Sequence, residues 1–172
     1  MATKKTSTFY VRVDQDIDND NAFHQGELDL GAYVNVLGKS VLSVKSVQTA
    51  ITDSNGRMPD MTAANAGAFS WQLTTQSQDA TVRISDNSVV AAGGGSAYES
   101  GAGTIAVNWS DFSVGPHHYQ TDDGYLIATE SLYLGGSATT EWTENLFVSL
   151  ILECQVVTMD VQDGVALALS QQ

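Results

Sequence analysis

A single cysteine, Cys154, stands among 172 residues, which excludes an internal disulfide framework and any metal centre built from several thiolates. Basic residues are nearly as scarce: seven Lys and Arg face 20 Asp and Glu, for a net charge of -13, and no Lys or Arg lies beyond Arg83. The stretch from residue 84 onward therefore lacks the clustered cations that neutralise phosphates, so direct nucleic-acid binding is not expected. No window approaches the roughly 18 consecutive apolar residues of a membrane span. Met1 to Thr8 lacks the apolar segment of a secretory signal, and synthesis in the cytoplasm is the expectation. No internal period of a propeller or solenoid is present. The catalytic signatures are missing as well: no G-x-S-x-G elbow, no local Cys and His motif, and no Gly-Lys-Ser or Gly-Lys-Thr after the glycine-rich stretch. The expectation is a protein that is not an enzyme.

What is present favours sheets. Ser and Thr number 33 and Val 17, a mixture suited to pleated, half-buried surfaces and turns. A hydrophobic content of 42% at this length fits one domain over residues 1–172, with residues 1–7 as a short flexible arm. Alternation of apolar and polar residues predicts strands at Thr8–Asp14, Leu28–Val36 and Val41–Thr52. In the last of these the apolar parity changes after Val44, which predicts a β-bulge near Lys45 and Ser46. Asp53-Ser54-Asn55-Gly56 is a turn, because Asn and Gly tolerate positive φ. Further strands are predicted at Phe69–Gln76, Ala80–Ser85, Thr104–Asn108, Gly124–Leu134 and Leu146–Met159, about eight in all. The small residues from Ala91 to Gly103 predict a surface loop. Asp160 to Leu169 fits a short helix capped by Asp160, and its alternation at Val165, Leu167 and Leu169 equally fits one more strand. The fold class is all-β, an antiparallel two-sheet sandwich or a barrel.

Candidate chemistry is confined to a few places. Asp14, Asp16, Asp18 and Asp20 recur at alternate positions, and on a bent loop their oxygens could converge on Ca²⁺, which takes six to eight hard ligands. The match to a calcium loop is imperfect, because Asn19 occupies the place of the sharp-turn glycine and Gln25 that of the bidentate Glu; the other reading is a solvated acidic loop. His24 lies near this run, while the adjacent His117 and His118 would face opposite sides of a strand and so are poor joint ligands. Cys154 sits in an apolar strand and reads as a small buried hydrophobe. Trp71, Trp109 and Trp142 offer apolar bodies for a core or a stacking platform, and the polar neighbours of Trp142 predict that it is exposed.

In its eight predicted strands, Ser, Thr and Gly-rich loops and short Lys4-Lys5 arm, the chain resembles the single jelly-roll capsid proteins of tailless icosahedral viruses. That resemblance implies a jelly roll and a structural virion protein that self-assembles into a shell through loop and sheet-edge contacts, its partners being copies of itself and other virion proteins. The usual basic arm is reduced to two lysines, so the inner surface would face a membrane, a second protein layer or a genome packaged by a motor. The alternative reading is a carbohydrate- or cell-surface-binding sandwich, on a virion spike or lectin-like, with Ca²⁺ in the acidic loop. The segments 54–68 and 91–103 are the expected contact loops.

Overall fold

The computed structural model describes residues 3–4, 6–62, 64–103, 105–111 and 124–171. Ten strands and one helix occur among them: β1 (Thr3–Lys4), β2 (Phe9–Asp18), β3 (His24–Asp29), β4 (Ser40–Thr52), β5 (Ala66–Thr74), β6 (Val89–Glu99), β7 (Ile105–Asp111), β8 (Tyr125–Ile127), β9 (Ser131–Ala138), β10 (Leu146–Thr158) and α1 (Val161–Ser170). One sheet runs β1-β10-β4-β8 with β2 also paired to β10, and the other runs β3-β9-β5-β6-β7. Four antiparallel pairs, β2 with β10, β3 with β9, β4 with β8 and β5 with β6, nest one inside the next along the chain. The chain is thus one long hairpin with β5 and β6 at its tip. Rolling that hairpin brings β10 against β4 and β9 against β5, which closes the two sheets. This is the jelly roll, with β1 and β7 added at its edges.

The reason the hairpin rolls is written in β10. Leu146, Val148, Leu150, Leu152, Cys154 and Val156 point inward at no more than 7% exposure, while Phe147, Ser149, Ile151, Glu153 and Gln155 alternate outward. Leu146 to Cys154 of this set share one continuous core with Trp71, Leu73, Leu132 and Leu134 of the facing sheet. On β4 the register passes from Glu153 opposite Ser46 to Cys154 opposite Val44, so Lys45 is the inserted residue of the expected bulge. The bulge restores the inward direction of Val44 and Leu42, both fully buried. The Asp53 turn also forms as expected: the Asp53 carboxylate accepts the amides of Asn55 and Arg57 at 2.8 Å, and Gly56 holds φ at 75°.

Several expectations are corrected. The alternation from Leu28 to Val36 ends as a strand at Asp29, whose carboxylate accepts the Gly31 amide. Leu30 and Val34 are then buried by a helical turn, with the Val34 amide bonded to Leu30 O, so a spacing of four was carried by residues that also alternate. Ala80–Ser85 is a loop and not a strand. Residues 91–99 belong to β6 and only 100–103 form the turn after it. Their smallness is a packing requirement: a Cβ on Gly93 would lie 2.5 Å from Trp71 Nε1. The single strand expected over Gly124–Leu134 breaks at Ala128–Glu130 into β8 and β9 on opposite sheets. The segment expected as a free arm includes β1, paired with Val157 and Thr158, and the Thr6 hydroxyl accepts the Val156 amide.

Of the two readings of the Asp160–Leu169 stretch, the helix is the one that forms, over Val161–Ser170. Asp160 holds the N-cap position without a side-chain cap bond, its carboxylate lying 3.6 Å from Lys39 Nζ instead. Gln171, only 4% exposed, fastens the other end. Its carboxamide donates to Leu126 O at 2.7 Å and accepts the Ala128 amide at 3.1 Å, while its carbonyl accepts the Thr75 hydroxyl at 2.6 Å. The helix is therefore tied to both sheets, which explains why the strand alternative fails. Leu167 and Ala168 pack against the cluster of Val41, Ala128 and Val157.

Truncating the centre of the core tests this account. Leu152→Ala removes a fully buried side chain, and equilibrium urea unfolding should show a loss of about 2–5 kcal/mol; a change below about 1 kcal/mol would contradict the placement of β10.

Candidate functional site

A preformed concavity lies on the outer face of β5 and β6. Ser70 points outward from β5, and opposite it Gly94 leaves the surface bare, since a Cβ there would come within 2.8 Å of Phe69 O. The loop over residues 80–85 is laid across this face and forms one wall. It is fixed by Gln72, which is fully buried: Nε2 donates to Ala80 O at 3.2 Å and Oε1 accepts the Val82 amide at 2.8 Å. Ser70 and Thr81 add a hydroxyl contact at 3.3 Å, and a turn bonding the Asp86 amide to Arg83 O closes the loop. The result is an open groove of about 630 Å³ with a floor of Ser70, Gly94 and Ser96. Its wall presents Val82, Arg83 and Ile84, the last 44% exposed. Among the described residues Arg83 forms no ion pair.

The acidic run is distributed over two environments. Asp14 and Asp16 stand on β2, where Ser149 Oγ donates to Asp14 at 2.6 Å and Asn145 Nδ2 donates to Asp16 at 3.2 Å. Beyond them the backbone turns, with positive φ at Asp18 (55°) and Asn21 (65°). Asp18, Asp20 and His24 then gather, one ligand atom of each lying within 4.8 Å of the others. The expected set of four carboxylates is not brought together; the gathered set is two carboxylates and an imidazole. His24 Nε2 and Asp20 Oδ1 are 3.0 Å apart. This hydrogen bond holds the His24 pKa above its ordinary value, aided by the charges of Asp20, Asp18 and Asp16, and holds that of Asp20 below its own. These three residues are the ones that could supply ligands to a divalent cation at this corner.

Other candidates are placed plainly. Cys154 is fully buried, and desolvation followed by the neighbouring Glu153 pushes its thiol up to about 12, so it stays protonated and inert. Trp142 is buried at 3% exposure, against the expectation of an exposed ring. Its Nε1 donates to Ala68 O at 3.3 Å, and it meets Phe69 edge-on at 6.2 Å. The polar residues around Trp142 are occupied by pairing with a second loop, where Thr62 N bonds Glu141 O and Thr143 N bonds Asp60 O. Trp71 is likewise buried. His117 and His118 lie outside the described residues. Sequence reasoning missed the groove, because its wall at residues 80–85 was assigned to a strand and the Gly94 and Ser96 part of its floor to a loop; the one available signal was Gln72 between Trp71 and Leu73.

Two outcomes test these assignments. Gln72→Ala should cost about 1–3 kcal/mol by leaving the Val82 amide and Ala80 carbonyl unpaired, and trypsin should then cut faster after Arg83; unchanged cleavage would show that Gln72 does not hold the wall. At the acidic corner, the contribution of His24 is full below its ordinary 6.5 and is lost as pH rises through the raised folded value. That of Asp20 is full above its ordinary 3.8 and is lost as pH falls through the lowered folded value. The pair thus supports the fold best between those limits, and the His24 imidazole should titrate at a higher pH in the native protein than in Asp20→Asn when followed by NMR. Equal midpoints would refute the pairing.

The sequence matches no protein-family model and no curated protein. Among solved structures, a chain of turnip yellow mosaic virus superposes with a TM-score of 0.35 at 11% identity, covering 91% of this chain and 82% of that one. A score at that level does not establish a common fold, and the jelly roll described above rests on the strand pairing of this chain alone.

Proposed function

We propose that this chain is a structural virion protein, a shell subunit that packs against copies of itself through its loops and sheet edges. The observation that carries this reading is the nested pairing of the rolled hairpin, since double-sheet jelly rolls recur in viral shells and in lectins. A fold of this kind hosts several functions, so the choice between them falls to the surface. Burial of Trp71 and Trp142 removes two aromatic rings that a sugar-binding platform would need exposed, which favours the shell over the carbohydrate-binding reading.

Charge is consistent with this assignment. A net charge of -13 with no Lys or Arg beyond Arg83 suits a subunit that does not condense nucleic acid itself. Among the described residues no helix is long and apolar enough to cross a membrane. Subunits so acidic repel one another, and raising the ionic strength shortens the range of that repulsion to about 8 Å at physiological salt. Assembly should therefore be salt-dependent.

The purified protein should form large closed particles, visible by electron microscopy and by multi-angle light scattering, more readily as salt or protein concentration rises. A species that remains monomeric across concentration, salt and added Ca²⁺ would contradict the shell reading. Saturable binding of the monomer on a glycan array would support the alternative.

A further inference from the structure

In the turn that follows β4, Asn55 precedes Gly56, and it is the one Asn of the chain that is followed by glycine. Both residues are exposed. A glycine nitrogen has no Cβ beside it to screen an approaching group, and a Cβ built on Gly56 would meet nothing within 4 Å. The Gly56 nitrogen therefore stands in open space one residue beyond an electrophilic carboxamide carbon, Asn55 Cγ, and a bond between the two closes a cyclic imide.

Other asparagines are held more firmly. Asn19 Nδ2 donates to Trp142 O at 2.9 Å, Asn35 Oδ1 accepts the Gly38 amide at 2.8 Å, and Asn145 Nδ2 donates to Asp16 at 3.2 Å. Asn21 and Asn87 are followed by Ala22 and Ser88, whose amides are bound by the carboxylates of Asp20 and Asp86. Among the described residues the Asn55 carboxamide has a single contact, Nδ2 to Ser54 Oγ at 3.4 Å. What restrains this turn is its backbone. The Asp53 carboxylate accepts the amides of Asn55 and Arg57 at 2.8 Å, Gly56 N donates to Asp53 O at 3.1 Å, and Asp53 N donates to Arg57 O at 2.9 Å. While these bonds hold, the Gly56 proton that must leave is engaged with Asp53 O, so reaction waits for local opening.

We propose that Asn55 is a site of spontaneous deamidation, with water as the co-reactant, and that the Asp53 brace sets its pace. The Gly56 nitrogen gives up its proton and bonds to Asn55 Cγ; the Cγ–Nδ2 bond breaks, and Nδ2 leaves with a proton as ammonia. Water then opens the imide. Addition at Cγ breaks the new bond and leaves an aspartate, while addition at the Asn55 backbone carbonyl carbon breaks its bond to Gly56 N and leaves an isoaspartate, with the chain running through the former side chain. Nothing is oxidised or reduced. Either product adds a carboxylate beside Asp53 and close to Glu144, which accepts the Ser54 hydroxyl at 3.0 Å. Isoaspartate also lengthens the backbone inside the closure from Asp53 to Arg57, so the turn cannot re-form as it was. The conversion is independent of the shell reading, and it writes an irreversible change of charge into the loop over residues 54–68.

The test is timed incubation of the full chain at neutral and mildly alkaline pH, followed by trypsin digestion and mass spectrometry against a zero-time sample. The peptide to follow is Ser46–Arg57, in which Asn55 is the single Asn. The wild type should accumulate two deamidated forms that separate by chromatography, faster at the higher pH, where the Gly56 nitrogen loses its proton more readily. Asp53→Ala should speed the conversion about tenfold, because two hydrogen bonds that keep the turn closed are removed. Gly56→Ala should suppress it by screening the nitrogen, and Asn55→Gln, which leaves the positive φ of Gly56 undisturbed, should suppress it by enlarging the ring to be closed; melting temperature serves as the folding control. A peptide that stays amidated in the wild type and in Asp53→Ala alike would overturn the proposal. Modification that persists unchanged in Asn55→Gln would place it on Gln48 and overturn it as well, while equal rates in the wild type and Asp53→Ala would overturn the role of Asp53.

Discussion

The position of β10 between β2 and β4 is the constraint on which the rest of the molecule depends. This strand shares backbone hydrogen bonds with both neighbours along most of its length, and its inward side chains form the middle of the core. It is the last strand in chain order, so its pairing with β4 closes a large loop. Such non-local pairing is entropically costly and must be offset by burial. The alternation of inward Leu, Val and Cys with half-buried Phe147, Ser149, Ile151, Glu153 and Gln155 supplies that burial on one face. Once β10 is seated, β1, the Thr6 contacts and the C-terminal helix have their places determined.

The surface follows a different logic from the core. Carboxylates are spent locally, on turns and backbone amides: Asp53 on its own turn, Asp86 on Ser88, Glu99 on three loop amides. Acid that looks abundant in the composition is partly structural. The cations are fewer, and Lys39 is engaged with Asp160 while Arg83 stands at the groove. An acidic subunit that packs with its own copies would have its contacts selected by where positive charge and apolar surface coincide, because elsewhere like charges oppose approach.

Much of the fold was legible because burial of one sheet face imposes a period of two on the sequence. Phe9, Val11 and Val13, and the inward residues of β10, are found on the side their spacing indicates, and the parity change after Val44 marks the bulge at Lys45. Errors arose where a residue served two periods or where small size had two causes. Leu30 and Val34 satisfy both alternation and a helical turn, and the Asp29 cap decides between them. Glycines 93 to 95 indicate flexibility when read alone, yet they pair with β5 and Gly93 makes room for Trp71. The acidic run suggested four ligands because alternate carboxylates share a side; positive φ at Asp18 and Asn21 separates Asp14 and Asp16 from the pair that meets His24.

Composition and periodicity by themselves determined an acidic, disulfide-free all-β chain, sandwich or barrel, because desolvation of one face and the rarity of cysteine, Lys and Arg act residue by residue. Which strands become neighbours, that the Ala80–Ser85 segment lies over the sheet and not within it, and that Trp142 turns inward were decided only in three dimensions. Each depends on a partner outside the local pattern: Gln72 for the loop, Ala68 and the Asp60 segment for Trp142, β4 for β10. Side-chain hydrogen bonds and close contacts across a loop or between sheets leave no periodic pattern, and the groove at Arg83 is built on bonds from Gln72 and Ser70 to a loop eight to eleven residues on.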